Sequence, residues 1–255
     1  MTTFLQDPGR DDGGDENAPR LAPITHQTLY ERVYAELRNV IMSASFAPGE
    51  TLTIRGIAQQ LGTSVMPARE ALRRLSTEGA IEVLPNRSIR IPLMSRGRMD
   101  EICGVRFLLE GEAVSLAAGR ATAADMVSIQ AFNQEFVDYA KLNAFAKMLH
   151  ANQRFHFAIY SAARSQTLLS IIGMLWLQTG PWLLEPLRRN AMKNQDLSQR
   201  YIGVSIGHHQ ALIAALVARD PARAADAVRA DIRDAAAQFR AFMDSADGQS
   251  RSSAE

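Results

Sequence analysis

A single cysteine, Cys103, in 255 residues excludes a disulfide framework and any zinc site built from several thiolates, and it suits a reducing cytoplasm. No stretch supplies the ~20 apolar residues that a membrane-spanning helix needs. The most apolar run, Leu168 to Leu184, is interrupted by Ser170, Gln178, Thr179 and Pro181. It reads as a buried core helix or a subunit contact, and no membrane partner is expected. The first ten residues show no basic-then-apolar run, so no secretory signal is expected. Nucleophile motifs and phosphate-cradling glycine loops are missing too, and an enzyme would lack its usual machinery. What is present, 47% apolar and 22% charged residues, is the composition of an ordinary globular chain with material for two modest domains.

The net charge is only +1, and its distribution says more than its size. Residues 1–24 hold Asp7, Asp11, Asp12, Asp15 and Glu16 against Arg10 and Arg20. Rich in Asp, Gly and Pro and without periodicity, they read as a disordered arm. Residues 26–94 carry eight arginines, no lysine and six acids. That excess is too small to suggest a polyanionic partner; the placement of the arginines does.

Thr28 and Glu31 form a capping-box pair ahead of an apolar face made by Leu29, Val33, Tyr34, Leu37, Val40 and Ile41. Pro48-Gly49 ends that helix. A second short helix starts near Thr53 and stops at Gly62. Ser64 is placed to cap a third, with Pro67 in its first turn, Ala68, Ala71, Leu72 and Leu75 on its inner face and Gly79 as its stop. Ile81, Val83, Ile89 and Ile91 then alternate with polar residues around Pro85-Asn86-Arg87-Ser88, a hairpin pattern. Beyond Ser95 every strong pattern is helical, with segments expected near 95–119, 123–141, 143–162, 165–190, 198–218 and 221–243. The predicted fold is mostly α: an N-terminal winged helix-turn-helix over 25–94 plus a C-terminal all-α antiparallel helical bundle over 95–245, with a disordered tail at 246–255.

A helix that enters the major groove needs a small capped start near the phosphates and long donors on its outer face. The third helix offers Arg69, Arg73 and Arg74, with Arg69 one turn after Val65. Arg55 on the second helix is placed to clamp the backbone, and Arg87 at the hairpin tip to reach the minor groove. A solvated helix face balanced by Glu70 and Glu78 is the plainer alternative.

In the bundle, Asn152 and His156 are four residues apart on one helix and share a face. His209 and Asp231 each lie eleven residues from Asp220, at the centre of a helix break. Antiparallel helices rise by ~1.5 Å per residue on either side of a turn, which brings both to one level. Asn152, His156, His209 and Asp231 are thus a candidate set for Zn, Ni or Mn. His208 lies about 100° round the helix and is left out of the set. The alternative is two hydrogen-bonded core histidines, with Asp231 paired to Arg233 or Arg106.

The run LTIRGIAQQLGTSVMPAREALRRLSTEGAIEVLPNRSIRI within 26–94 resembles the DNA-binding domain of GntR-type regulators. The spacing, the turn glycine, Pro67–Arg69–Glu70–Ala71–Leu72 and the Glu78-Gly79 stop all coincide. The resemblance implies DNA contacts by Arg55, Ser64, Arg69 and the wing tip. Two positions depart from the family pattern: Val65 stands where an arginine is usual, and Ser88 where the wing usually has glycine. Val65 cannot hydrogen-bond a guanine but can pack on a thymine methyl. Residues 98–243 resemble the FCD-type ligand-binding domain of the FadR subgroup, through RFLLE at 106–110, NQRFH at 152–156 and HQALIAALVARDPARAADAVRADI at 209–232. That family has histidine at the position of Asp231 and often holds a metal. The resemblance implies a homodimeric regulator of a double-stranded DNA operator, usually a repressor released by ligand, and the cytoplasm is its expected place. A metal with an open position plus Arg106 suits a small carboxylate effector near Arg106, His156 and His209. For Arg106, an ion pair with Glu110 is the plainer alternative. A metal-dependent hydrolase using His156, His209 and Asp231, and a helical module that contacts protein instead of DNA, are the competing readings.

Overall fold

The computed structural model of the chain describes residues 29–86, 88–183, 185–186 and 195–252. The arm at 1–24, Thr28 and Arg87 lie outside them, as do most of 184–194, where the helix expected to reach 190 would end.

The N-terminal domain holds α1 (Leu29–Met42), β1 (Thr51–Thr53), α2 (Ile54–Gln60), α3 (Val65–Thr77), β2 (Glu82–Val83) and β3 (Ser88–Arg90). Buried Val33, Tyr34, Leu37 and Ile41 on α1 meet Leu72 and Leu75 of α3 and Ile81, Ile89 and Ile91 of the hairpin in one core. Gly62 and Gly79 adopt φ of +61° and +72°, a left-handed conformation that glycine enters without a Cβ clash, and each ends its helix there. The strands form an antiparallel sheet in the order β1-β3-β2, so the hairpin gains a third strand that the alternating pattern did not reveal. Of the four alternating residues, Ile81, Ile89 and Ile91 are buried, while Val83, on the edge strand β2, is 55% exposed.

The bundle comprises α4 (Arg96–Arg120), α5 (Ala123–Lys141), α6 (Phe145–Ala162), α7 (Gln166–Leu183), α8 (Gln195–Val217) and α9 (Pro221–Ser252). Ser95 caps α4 by accepting from the Arg98 N–H at 3.2 Å, and Thr122 with Asp125 forms a capping box on α5. α4 packs most extensively on α9, and α5 on α6. The backbone of α9 stays helical through Ser252, past the boundary expected at 245. A helix continues as long as its backbone bonds form, and composition reports only on the side chains.

The two domains meet along α7. A Cβ added at Gly180 would lie 2.9 Å from the Met42 carbonyl oxygen, so α1 approaches α7 as closely as glycine permits. Gln178 donates to the Glu78 carbonyl at 3.1 Å, and the Trp182 indole N–H to the Pro92 carbonyl at 2.8 Å. Ala44, just after α1, packs with Phe136, Leu149 and Ile202 of the bundle.

Candidate nucleic-acid interface and effector cavity

The reading surface follows from how α2 and α3 are capped and buried. Thr53 starts α2 by accepting from the Gly56 N–H at 3.0 Å. Ser64 occupies the N-cap position of α3, but its hydroxyl makes no capping bond and stays exposed. Burial of Ala68, Ala71, Leu72 and Leu75 turns Arg69 and Arg73 outward by helical periodicity alone. One groove is lined by Arg55 of α2, Val65, Arg69 and Arg73 of α3, and Asn86 and Ser88 of the wing.

The fold sorts the arginines of this domain into two groups. Arg74 lies over the Tyr34 ring, 3.9 Å from its centroid, and its Nε donates to Glu78 at 3.1 Å. Burial and the Glu78 carboxylate push the Tyr34 hydroxyl up to about 12. Arg90 pairs with Glu82 at 2.6 Å. Arg55, Arg69 and Arg73 are exposed, and among the described residues no carboxylate engages them. Among the described residues their cationic groups converge on the groove with no carboxylate beside them, which argues against the balanced-face alternative. Ser88 accounts for its own departure from the family pattern. Its N–H and hydroxyl both donate to Asn86 Oδ1, at 3.0 and 2.6 Å, and its φ is not left-handed, so the wing turn has no need of glycine there.

In the bundle a cavity of about 80 Å³ opens among α4, α6, α7, α8 and α9, lined in part by Arg106, Asn152, His156, Trp176, His208 and Asp231. Arg106 is buried, and its charge is paired. Its Nε donates to Glu110 at 2.6 Å, Nη2 to the same carboxylate at 3.4 Å and Nη1 to Thr179 at 3.2 Å. Glu110 also accepts from the Trp176 indole at 3.0 Å and from the Tyr160 hydroxyl at 2.5 Å. The Glu110 carboxylate raises the Arg106 pKa further, although burial acts the other way. The ion-pair alternative for Arg106 is therefore realised, while the side chain still borders the cavity. The i,i+4 spacing of Arg106 and Glu110 points to their pair, but nothing in the sequence ties Tyr160 and Trp176 to Glu110.

The two histidines have definable proton positions. Tyr160 gives its proton to Glu110, so the Tyr160 oxygen accepts from His156 Nδ1–H at 3.3 Å. His209 Nδ1–H donates to Asn133 Oδ1 at 3.1 Å. Each ring thus presents a lone pair at Nε2. Burial pushes the His156 pKa well down and that of His209 down to about 3, keeping both neutral, and pushes Asp231 up to about 6. His156 Nε2 faces Asp231 Oδ2 at 3.5 Å, and His209 Nε2 is buried without a hydrogen-bond partner. A lone pair opposite a carboxylate, at the spacing of two ligands sharing an ion with bonds of ~2.0–2.2 Å, fits a divalent cation in its donor chemistry. Among the described residues, however, no three His, Cys, Asp or Glu side chains are grouped as a ligand set. His209 is wedged against Phe136 and Phe155 with its ring 5.2 Å from His156. His208 is the neighbour that lines the cavity, donating to Asp234 at 2.8 Å. Leaving His208 out in favour of His209 is therefore reversed at the cavity wall, because spacing sets the angle between the two and not which of them the rotation of α8 turns toward the cavity.

Comparison with known proteins agrees with both halves. The family described as "Bacterial regulatory proteins, gntR family" matches residues 29–91, and the FCD domain matches residues 101–234. The HTH-type transcriptional regulator McbR of Escherichia coli (strain K12) is 29% identical over 202 residues, covering 79% of this chain and 88% of its own. The HTH-type transcriptional repressor GlaR of the same organism is 29% identical over 200 residues, covering 77% and 89%. The solved structure of E. coli McbR/YncC superposes with a TM-score of 0.74 at 26% identity, covering 85% of this chain and all of that one. These relatives are regulators and not enzymes, and neither the hydrolase nor the protein-interaction reading finds support among them. The chain belongs to the GntR family of bacterial regulatory proteins, as a transcription regulator that joins a DNA-binding winged helix to an FCD domain.

Proposed function

We propose that the chain is a homodimeric repressor that leaves its operator when a small carboxylate occupies the bundle cavity. The observation that carries the DNA half is the convergence of Arg55, Arg69 and Arg73 on one groove, where among the described residues no carboxylate meets them. Ser64, Val65 and the wing, with Arg87 at its tip, complete the proposed contact surface. As a bacterial DNA-binding regulator it acts in the cytoplasm.

The effector half rests on the cavity. Arg106 retains N–H donors beyond those given to Glu110 and Thr179, but its charge is already neutralised. Asn152, His156, His209 and Asp231 are the residues that would hold Zn, Ni or Mn, which supplies a positive charge able to attract a carboxylate oxygen. His156 and His209 keep their lone pairs available through their bonds to Tyr160 and Asn133. Arg106, held in place by Glu110, orients the remaining donors toward the ligand.

Two features support transmission to the DNA-binding domain. α7 lends Trp176 and Gly180 to the cavity wall and sets Gln178, Gly180 and Trp182 against the N-terminal domain, so that Gly180 touches both. Phe136, Leu149 and Ile202, which line the cavity, also seat Ala44 at the end of α1. A ligand that moves these walls moves α1, and with it the orientation of α3. Pairing of two copies has apolar surface to use: α4 and α7 lie side by side and leave Val105, Leu108, Ile171 and Met174 exposed.

A salt series on a duplex from the protein's own upstream region tests the DNA half. Affinity falls steeply as salt rises, and Arg55→Ala and Arg69→Ala each weaken binding by ~1–3 kcal/mol with unchanged folding. Normal binding by both variants would refute the assignment of the surface.

A further inference from the structure

The first turn of α3 is apolar where it meets solvent. Met66 is 58% exposed, and Val65 beside it lines the groove that holds Arg55, Arg69 and Arg73. Neither side chain can donate or accept a hydrogen bond usefully, and the next residue, Pro67, has no N–H. In a helix-turn-helix the N-terminal residues of the recognition helix come closest to the base edges. Of the four bases, only thymine shows a carbon group, its 5-methyl, on the major-groove edge.

We infer that Val65 and Met66 form an apolar reading head for thymine methyl groups, and that the half-site places thymines opposite them beside a guanine read by Arg69. This rests on the DNA-binding reading above and adds to it the base chemistry being read. The polar neighbours fit the assignment. The Ser64 hydroxyl, unused in capping, is free to donate to a phosphate and so fix the depth at which the helix docks. Arg69, four residues after Val65, projects from the same face, with its donors unengaged among the described residues. Half-buried Val65 in a groove with three guanidinium groups that meet no carboxylate among the described residues, and exposed Met66 next to it, match a surface that is anionic at its rim and carbon-faced at its centre. A protein partner would have to offer both at once.

The test compares the upstream-region duplex with a copy in which deoxyuridine replaces every thymidine of the footprint, which removes the methyls and keeps the pairing. Each lost methyl contact weakens wild-type binding about four-fold, from ~0.8 kcal/mol per buried carbon. A Val65→Ser/Met66→Ala variant binds the thymidine duplex more weakly and no longer distinguishes the two. Running both proteins on both duplexes as a cycle cancels any effect of uracil on DNA shape. Met66→Ala alone changes an exposed side chain and keeps the fold intact. Equal affinity of wild type for the two duplexes, while Arg69→Ala still weakens binding, would overturn the reading head and leave the DNA-binding surface standing. Loss of discrimination without any effect of Arg69→Ala would overturn both.

Discussion

The reading groove and the effector cavity both gather positive charge, and they treat it in opposite ways. Arg55, Arg69 and Arg73 are exposed and meet no carboxylate among the described residues. Arg106 is 4% exposed and shares two hydrogen bonds with Glu110. An unpaired guanidinium in water costs little and stays available to a polyanion, whereas a buried one is tolerated only with its partner in place. The groove therefore keeps its charge for something outside the molecule. The cavity has used its own, so the anionic effector proposed above would need a second source of positive charge there.

That contrast breaks most visibly at Glu110. Replacing it in Glu110→Gln leaves Arg106 buried without a counter-charge and lowers stability by ~3–5 kcal/mol in denaturant titrations. Arg69→Ala changes stability by no more than ~0.5 kcal/mol. A mild effect at Glu110 would mean that the Arg106 charge has another partner and that the two regions are less different than described.

A metal sharpens the same comparison. Elemental analysis of protein never exposed to nickel resin finds a divalent ion, and free ion at a hundred times its dissociation constant raises stability by ~2.7 kcal/mol. His156→Ala abolishes the effect. Absence of metal in the purified protein together with no stabilisation by added Zn, Ni or Mn would retire the site.

Gly180 tests the contact between the regions. Gly180→Ala forces α7 and the end of α1 apart, with an overpacking cost of ~1–3 kcal/mol in thermal or chemical unfolding. It alters duplex affinity although position 180 lies far in sequence from α3. Unchanged affinity would show that α1 does not set how α3 docks.

Local chemistry made the N-terminal domain legible: left-handed glycines stop α2 and α3, and the Ala68–Leu75 face fixes which arginines look outward. β1 escaped because three residues are too few to show alternation and its partner β3 lies more than thirty residues away in sequence. In the bundle, spacing around Asp220 put α8 and α9 antiparallel and set His209 level with Asp231; the side chain that Asp231 meets is His156, on α6. That spacing gave no account of rotation, which decides that His208 and not His209 lines the cavity. Nor did spacing show that Glu110 collects bonds from Arg106, Tyr160 and Trp176, since such convergence depends on three helices at once.

The chain has two tryptophans, and they sit at the two ends of the proposed coupling: Trp176 at the cavity, Trp182 at the domain junction. In Trp182→Phe, emission reports on Trp176 alone. If cavity and groove are coupled, the coupling is reciprocal, and saturating the protein with its upstream duplex changes Trp176 emission without any ligand in the cavity. Emission that stays constant while the duplex is demonstrably bound would contradict control of the reading helix through α7.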